Sequence, residues 1–218
     1  MAEEFTAKFK VDISDLKKNI SEATKEIKQA NQTFKAETSG MDRWAKDADG
    51  LGKKLESLKT ILASQKQILS AYQEQLERQK TAYTENGNRA EQLKAKLQEL
   101  ANQGIAKTDA EYQKYENALK SVLKEQANNE KAIDSLNSSI LEQKANIGQT
   151  EQSIRHYSQA QEEVIKESKS LTKSVEDQEK KLSQLKKEYV DTVVAEGKNS
   201  KSAKDLAKEI ENLSGEIK

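Results

Sequence analysis

Between residues 112 and 192 the sequence repeats itself in alternating steps of three and four. The line runs Tyr112, Tyr115, Leu119, Val122, Gln126, Asn129, Ile133, Leu136, Ile140, Gln143, Ile147 and Thr150, then Ile154, Tyr157, Gln161, Val164, Ser168, Leu171, Val175, Gln178, Leu182, Leu185, Tyr189 and Thr192. A mean step of 3.5 residues keeps one line of a helix facing a partner over many turns. At about 1.5 Å per residue, these roughly eighty residues predict a rod about 120 Å long. The chain has no proline, and a proline inside a helix costs about 3 kcal/mol. The predicted class is therefore all-α: long heptad-repeat helices in a coiled coil or elongated bundle.

Composition agrees with a narrow core. Charged residues make up 34% and aromatics 5%, and the mean hydropathy is −0.96. Such a chain is either disordered or built around a thin apolar seam, and sustained periodicity decides for the seam. Thirty-seven basic residues balance thirty-seven acidic ones, which gives no electrostatic reason to expect nucleic acid or an anionic membrane as partner. Without cysteine there is neither a disulfide framework nor thiol chemistry. The start of the sequence lacks a signal-peptide core, and no run approaches the ~18 apolar residues of a membrane span. A soluble chain with no membrane segment is expected.

Residues 1–13 read as an N-terminal extended arm, because Phe5, Ala7, Phe9, Val11 and Ile13 alternate with more polar residues as in a half-buried strand. A lone strand would need a partner's sheet edge or copies of itself; the other reading is an arm that merely alternates. A first coiled-coil segment is predicted over residues 14–101, entered at a Ser14 or Asp15 cap. Its seam is Leu16, Ile20, Ala23, Ile27, Ala30 and Phe34, then Met41, Trp44, Ala48, Leu51, Leu55, Leu58, Leu62, Leu69, Tyr72 and Leu76 in the same phase. Ile61 and Ile68 lie beside that line and widen it, which suits more than two helices. Joints are expected near residues 39–40, as a local break between coaxial pieces, and near 86–88. Residues 102–110 predict a hinge or hairpin turn, residues 111–196 the long central coiled coil, and residues 197–218 a C-terminal helix.

The joints share one chemistry: a glycine to end a helix and a polar cap to start the next. The restarts read as Asn88 with Glu91, Thr108 with Glu111, and Ser202 with Asp205. Heptad phase survives the first and third and slips by about one residue around Gly104. Gln65, Leu69, Tyr72, Leu76, Asn86, Ala90, Leu93, Leu97 and Leu100 also align with Gln178, Leu182, Leu185, Tyr189, Asn199, Ala203, Leu206, Ile210 and Leu213. That shift of about 113 residues, roughly sixteen heptads plus one residue, suggests a duplicated helix–turn–helix unit.

Polar seam residues (Gln126, Asn129, Gln143, Thr150, Gln161, Ser168, Gln178) weaken a rod and usually serve register or strand number. Small residues flank the long seam at Ala118, Ala132, Ser139, Ser153, Ala160 and Ser174. A parallel dimer would set Glu125 against Glu130 and Lys181 against Lys186. Self-association as a trimer or larger, or an intrachain hairpin, fits better. No residues carry catalysis: His156 falls on an outer position, and neither a phosphate loop, a nucleophile elbow nor zinc spacing is present. No cofactor is expected. The residues of functional interest are the helix-packing seam itself: Leu16, Ile20, Ile27, Phe34, Trp44, Leu51, Leu55, Leu58, Leu62, Leu69, Tyr72, Leu76, Leu119, Ile133, Leu136, Ile140, Ile147, Ile154, Tyr157, Leu171, Leu182 and Leu185.

The N-terminal text carries a resemblance. Its strand-like start (Phe9, Val11), the Ser14-Asp15-Leu16-Lys17 helix entry and the run from Asn31 through Phe34 to Ala36 are its first elements. Gly40-Met41-Asp42-Arg43-Trp44 and Asp49-Gly50-Leu51 leading to Leu55 and Leu58 come next in order. This region resembles the opening of tail tape-measure proteins of long-tailed phages and prophages of Gram-positive bacteria. The Glu-Gly-Lys-Asn-Ser turn at residues 196–200 resembles the helix joints of that family. The resemblance implies a rod-like ruler in the lumen of the virion tail, assembled in the host cytoplasm. Tail-tube, tail-tip and tail-chaperone proteins would be its partners. Family members are usually far longer and carry apolar segments, so the chain reads as a fragment or a short relative. The alternative is a generic bacterial coiled-coil scaffold or tether.

Overall fold

The segment from Ser14 to Glu37 has leucine, isoleucine and alanine at helical spacing and folds as the first helix, α1. In the computed structural model, which describes residues 11–217, three more come after it: α2 (Ala48–Asn102), α3 (Ala110–Glu196) and α4 (Lys201–Glu216). A single 3-10 turn, Trp44–Lys46, precedes α2. Among the described residues the fold is all-α, with no strand. Most of the predicted N-terminal arm lies outside the described residues; Val11, Asp12 and Ile13 carry no regular structure.

The helix ends differ from the sequence expectation in ways the side chains explain. At α1 the capping oxygen belongs to Asp12, which accepts from the Ser14 N–H at 2.9 Å and the Ser14 hydroxyl at 2.7 Å, rather than to Ser14 or Asp15. These bonds hold the Asp12 carboxyl below its usual range. Asp47 caps α2 by accepting from the Gly50 N–H at 2.8 Å. Asp109 accepts from the Glu111 N–H at 2.8 Å and starts α3, in place of Thr108. Ser200 accepts from the Ala203 N–H at 3.1 Å and starts α4, in place of Ser202. In each case the side-chain oxygen reaches an amide that a first helical turn leaves without a partner.

Gly104 and Gly197 end their helices with φ of 76° and 87°, a left-handed conformation open to glycine. At Gly104 its N–H reaches Ala101 and that of Ile105 reaches Leu100. This is the paired closure of a Schellman motif, with Ile105 packed on the Leu100 cluster. At Gly197 one bond runs back to Val193 at 3.1 Å. Gly87, by contrast, ends nothing: α2 runs through residues 86–88 without a break, and the joint expected there does not occur.

The described chain divides into two units. One comprises residues up to 42 and Lys53–Tyr157; the other comprises Arg43–Gly52 and the residues from 158 on. In the first unit α1 lies antiparallel to α2. The Ser57 hydroxyl donates to the Ala30 carbonyl at 3.1 Å, the Ser64 hydroxyl to Glu26 at 2.9 Å, and Arg78 grips Asp15 through two bonds of 3.0 and 2.9 Å. Rising numbers on α2 thus meet falling numbers on α1. The chain reverses after Glu37 instead of continuing coaxially, because Thr38 and Ser39 bond back to the Phe34 and Ala36 carbonyls and close the last turn.

α3 is also antiparallel to α2 in this unit. Gln126 lies against Gly87, Asn129 meets the Tyr83 amide, and Gln143 meets the Gln65 carbonyl at 2.9 Å. In the second unit α4 folds back on α3, with Lys181 and Glu209 paired at 3.3 Å and Leu185, Ala203 and Leu213 buried.

Gly148 offers a clean measure of helix propensity. It is exposed in the interior of α3, and a methyl there would meet nothing within 4 Å. Gly148→Ala is expected to stabilise the chain by about 1 kcal/mol. Thermal melting followed by circular dichroism should show a midpoint about 2–4 °C higher.

Candidate functional site: the helix-packing seam

The predicted seam residues sort by burial. Leu16, Phe34, Leu51, Leu55, Leu58, Leu76, Leu136, Ile140, Ile147 and Leu185 are buried, whereas Ile20, Ile27, Trp44, Leu62, Leu69, Tyr72, Leu119, Ile133, Ile154, Tyr157 and Leu182 are half-buried. Leu171 alone among them is exposed, at 68%. Trp44 belongs to the 3-10 turn before α2, not to a helical seam, because the chain has already left α1 when it reaches that position.

Two clusters form where the α2 and α3 lines meet. Leu76, Leu136 and Ile140 pack with Leu69, Tyr72 and Ile133. Toward the Gly104 turn, Ala90, Leu93, Leu97 and Leu100 pack with Tyr115, Ala118 and Val122. The second cluster mixes large side chains with the small Ala90 and Ala118, which lets the helices interdigitate.

A second line on α2 faces α1 and is easy to miss in the sequence. Ser57, Ile61, Ser64, Ile68, Ala71, Gln75 and Ala82 are all buried, each one position before a member of the main line. Several are small or polar, so the hydrophobic signal is weak, yet their size lets α1 approach through Ala23 and Ala30, which are also buried. Only Ile61 and Ile68 stand out in the sequence.

Three of the polar seam residues bond to the backbone of the opposite helix, whereas the Thr150 hydroxyl donates to the Asn146 carbonyl of its own helix at 3.0 Å. Gln143 Nε2 donates to the Gln65 carbonyl at 2.9 Å, and Gln161 Nε2 to the Ala48 carbonyl at 2.8 Å. Asn129 is oriented so that its Nδ2 donates to the Glu125 carbonyl at 2.9 Å and its oxygen accepts from the Tyr83 N–H at 3.1 Å. Buried amides satisfied in this way avoid the desolvation cost of an unmade bond, about 1–3 kcal/mol. Gly87 is notched against Gln126 and Gly52 against Gln161, where an added methyl would lie 2.9 and 3.0 Å from the amide nitrogens.

Charges sit around the seam. The Arg78 guanidinium holds the Asp15 carboxyl below the usual carboxylate range and also bonds Glu74 at 2.7 Å. Lys54 lies 4.6 Å from the centre of the Phe34 ring and 5.9 Å from that of Tyr157, and burial lowers its pKa. A cation over ring faces packs the long lysine stem as well as its charge. The glutamate beside Lys96 at 2.9 Å, Glu99, raises that lysine.

His156 is exposed, and its ring meets Tyr157 edge-on at 5.1 Å. Among the described residues no three His, Cys, Asp or Glu side chains converge to hold a metal ion, and no helix is long and apolar enough to cross a membrane. What the geometry provides is a set of helix-on-helix contacts in an all-α protein. The chain matches no protein-family model, no curated protein and no solved structure.

Proposed function

We propose that the chain is a non-enzymatic coiled-coil protein of a phage tail, a fragment of a tape-measure protein that sets tail length and templates the tail tube. The observation that carries the reading is α3, 87 residues of α-helix without interruption. A helix converts residue count into distance at a nearly fixed rise. The ordered likeness of the N-terminal text to tape-measure openings supports the same reading, with tail-tube, tail-tip and tail-chaperone proteins as partners in the virion tail. In this reading the α2–α3 and α3–α4 contacts are coiled-coil seams, and the N-terminal arm pairs with a partner's sheet edge.

Deleting whole heptads within residues 112–192 should shorten tails in proportion, by about 10.5 Å for each heptad. Electron micrographs give the measurement directly, and tails of unaltered length would remove the reading.

The antiparallel return of α2 on α3 favours a second reading, a coiled-coil scaffold or tether. A doubled-back chain uses two residues for each step of rise, which suits a strut better than a ruler. Tail-tube and tail-chaperone genes adjoining this one would decide for the first reading.

A further inference from the structure

The seam of α3 has one uncovered interval. On one side Gln161 is bonded to the Ala48 carbonyl and rests against Gly52; on the other, α4 covers Leu185 and pairs Glu209 with Lys181. Between them the same three-and-four step continues through Val164, Ser168, Leu171 and Val175. Val164 is half-buried, but from Ser168 on none of the described residues covers the line: Ser168 is exposed, Leu171 is 68% exposed and Val175 39%. A ridge of this kind on an otherwise wet helix marks an interaction surface more often than an accident of composition.

We infer that this interval docks a short amphipathic helix of another protein, with aliphatic residues at heptad spacing and lysine or arginine beside them. The continuity of the seam sets the shape, because the positions before and after it already hold helices in the manner the interval would. Its rim sets the charge: Glu167, Glu176 and Glu179 border the shallow groove beside Leu171. A second copy in parallel register would set Glu167 against Thr172 and Glu179 against Ser174, which leaves both carboxylates without the counter-charge that a lysine-bearing helix supplies. The inference stands apart from the tail reading, since a scaffold could use the same surface.

The test uses the full chain and two synthetic helical peptides of about two heptads, both with leucine at the seam positions. One carries lysine at the flanks and the other glutamate. Fluorescence anisotropy should show the lysine peptide binding at least ten-fold more tightly. Leu171→Gln should weaken it at least ten-fold with circular dichroism unchanged, since the side chain is exposed. The double variant Glu167→Lys, Glu179→Lys should reverse the preference between the peptides. No binding of the lysine peptide, equal binding of both, or indifference to Leu171→Gln would each overturn the inference. So would a concentration-dependent dimer that Leu171→Gln abolishes, which would give the surface to a second copy instead.

Discussion

Leu93→Ala should lower the stability of the chain by about 3 kcal/mol, within the 2–5 kcal/mol usual for a buried leucine. Leu93 has no exposed surface and sits in the cluster with Leu97, Leu100, Tyr115 and Val122. α1 enters beside Arg78, so this part of the unit is a hairpin of two helices. Among the described residues no third helix is there to collapse into the space left by the lost methyls, so the transfer and cavity losses add. The thermal midpoint should fall by about 6–12 °C, and urea denaturation should show an earlier midpoint with an unchanged slope. Leu123→Ala, on the same stretch of α3 but 41% exposed, should stay within about 0.5 kcal/mol of the parent. If the two substitutions cost the same, the hairpin does not hold the buried cluster described.

The second large effect concerns a single methyl. Gly50 is buried in the first turn of α2, and a Cβ there would lie 2.5 Å from the Trp44 carbonyl oxygen and 2.8 Å from its Cα. These are backbone atoms of the 3-10 turn, with no rotamer to swing away. Gly50→Ala is therefore expected to destabilise by about 2 kcal/mol, overpacking outweighing the gain of up to about 1 kcal/mol in helix propensity. Gly87→Ala makes the same chemical change with the opposite outcome. Its new methyl meets only the Gln126 amide nitrogen at 2.9 Å, the far end of a flexible side chain, so propensity wins and stability should hold or rise. Calorimetry on the two variants should give shifts of opposite sign or, at the least, a loss confined to Gly50→Ala.

Those glycines also show where the sequence was readable. Gly87 and Gly104 have the same local signature, a glycine among polar residues in a helical pattern, and only one of them is a turn. The next residue in the chain makes the difference. After Gly104 comes Ile105, which can pack back on Leu100 and complete the closure; after Gly87 comes Asn88, which has no such contact to offer, while Gln126 from a distant helix occupies the space the glycine leaves. The main seam was legible because a 3.5-residue period is strong wherever leucine and isoleucine mark it. The α1-facing line of α2 was not, because serine, alanine and glutamine carry little hydrophobic signal even when buried. Strand direction was not legible either, since a heptad pattern reads the same in both orientations. The uncovered interval was hidden for the same reason: Leu171 continues the line as well as any buried leucine, and only the ends of α2 and α4 reveal that neither helix rests on it.

The amides that reach across to main-chain groups cannot tell one carbonyl from the next. Were α2 to slide along α3 by one repeat, each such contact could re-form a little further on. The notches restrict this, because each glycine occurs at one place. Gly52 and Gly87 stand about five heptads apart in the sequence, and so do Gln126 and Gln161. A shift by fewer repeats takes both amides off their glycines and makes each swing aside from a side chain, a small cost that biases the register without locking it.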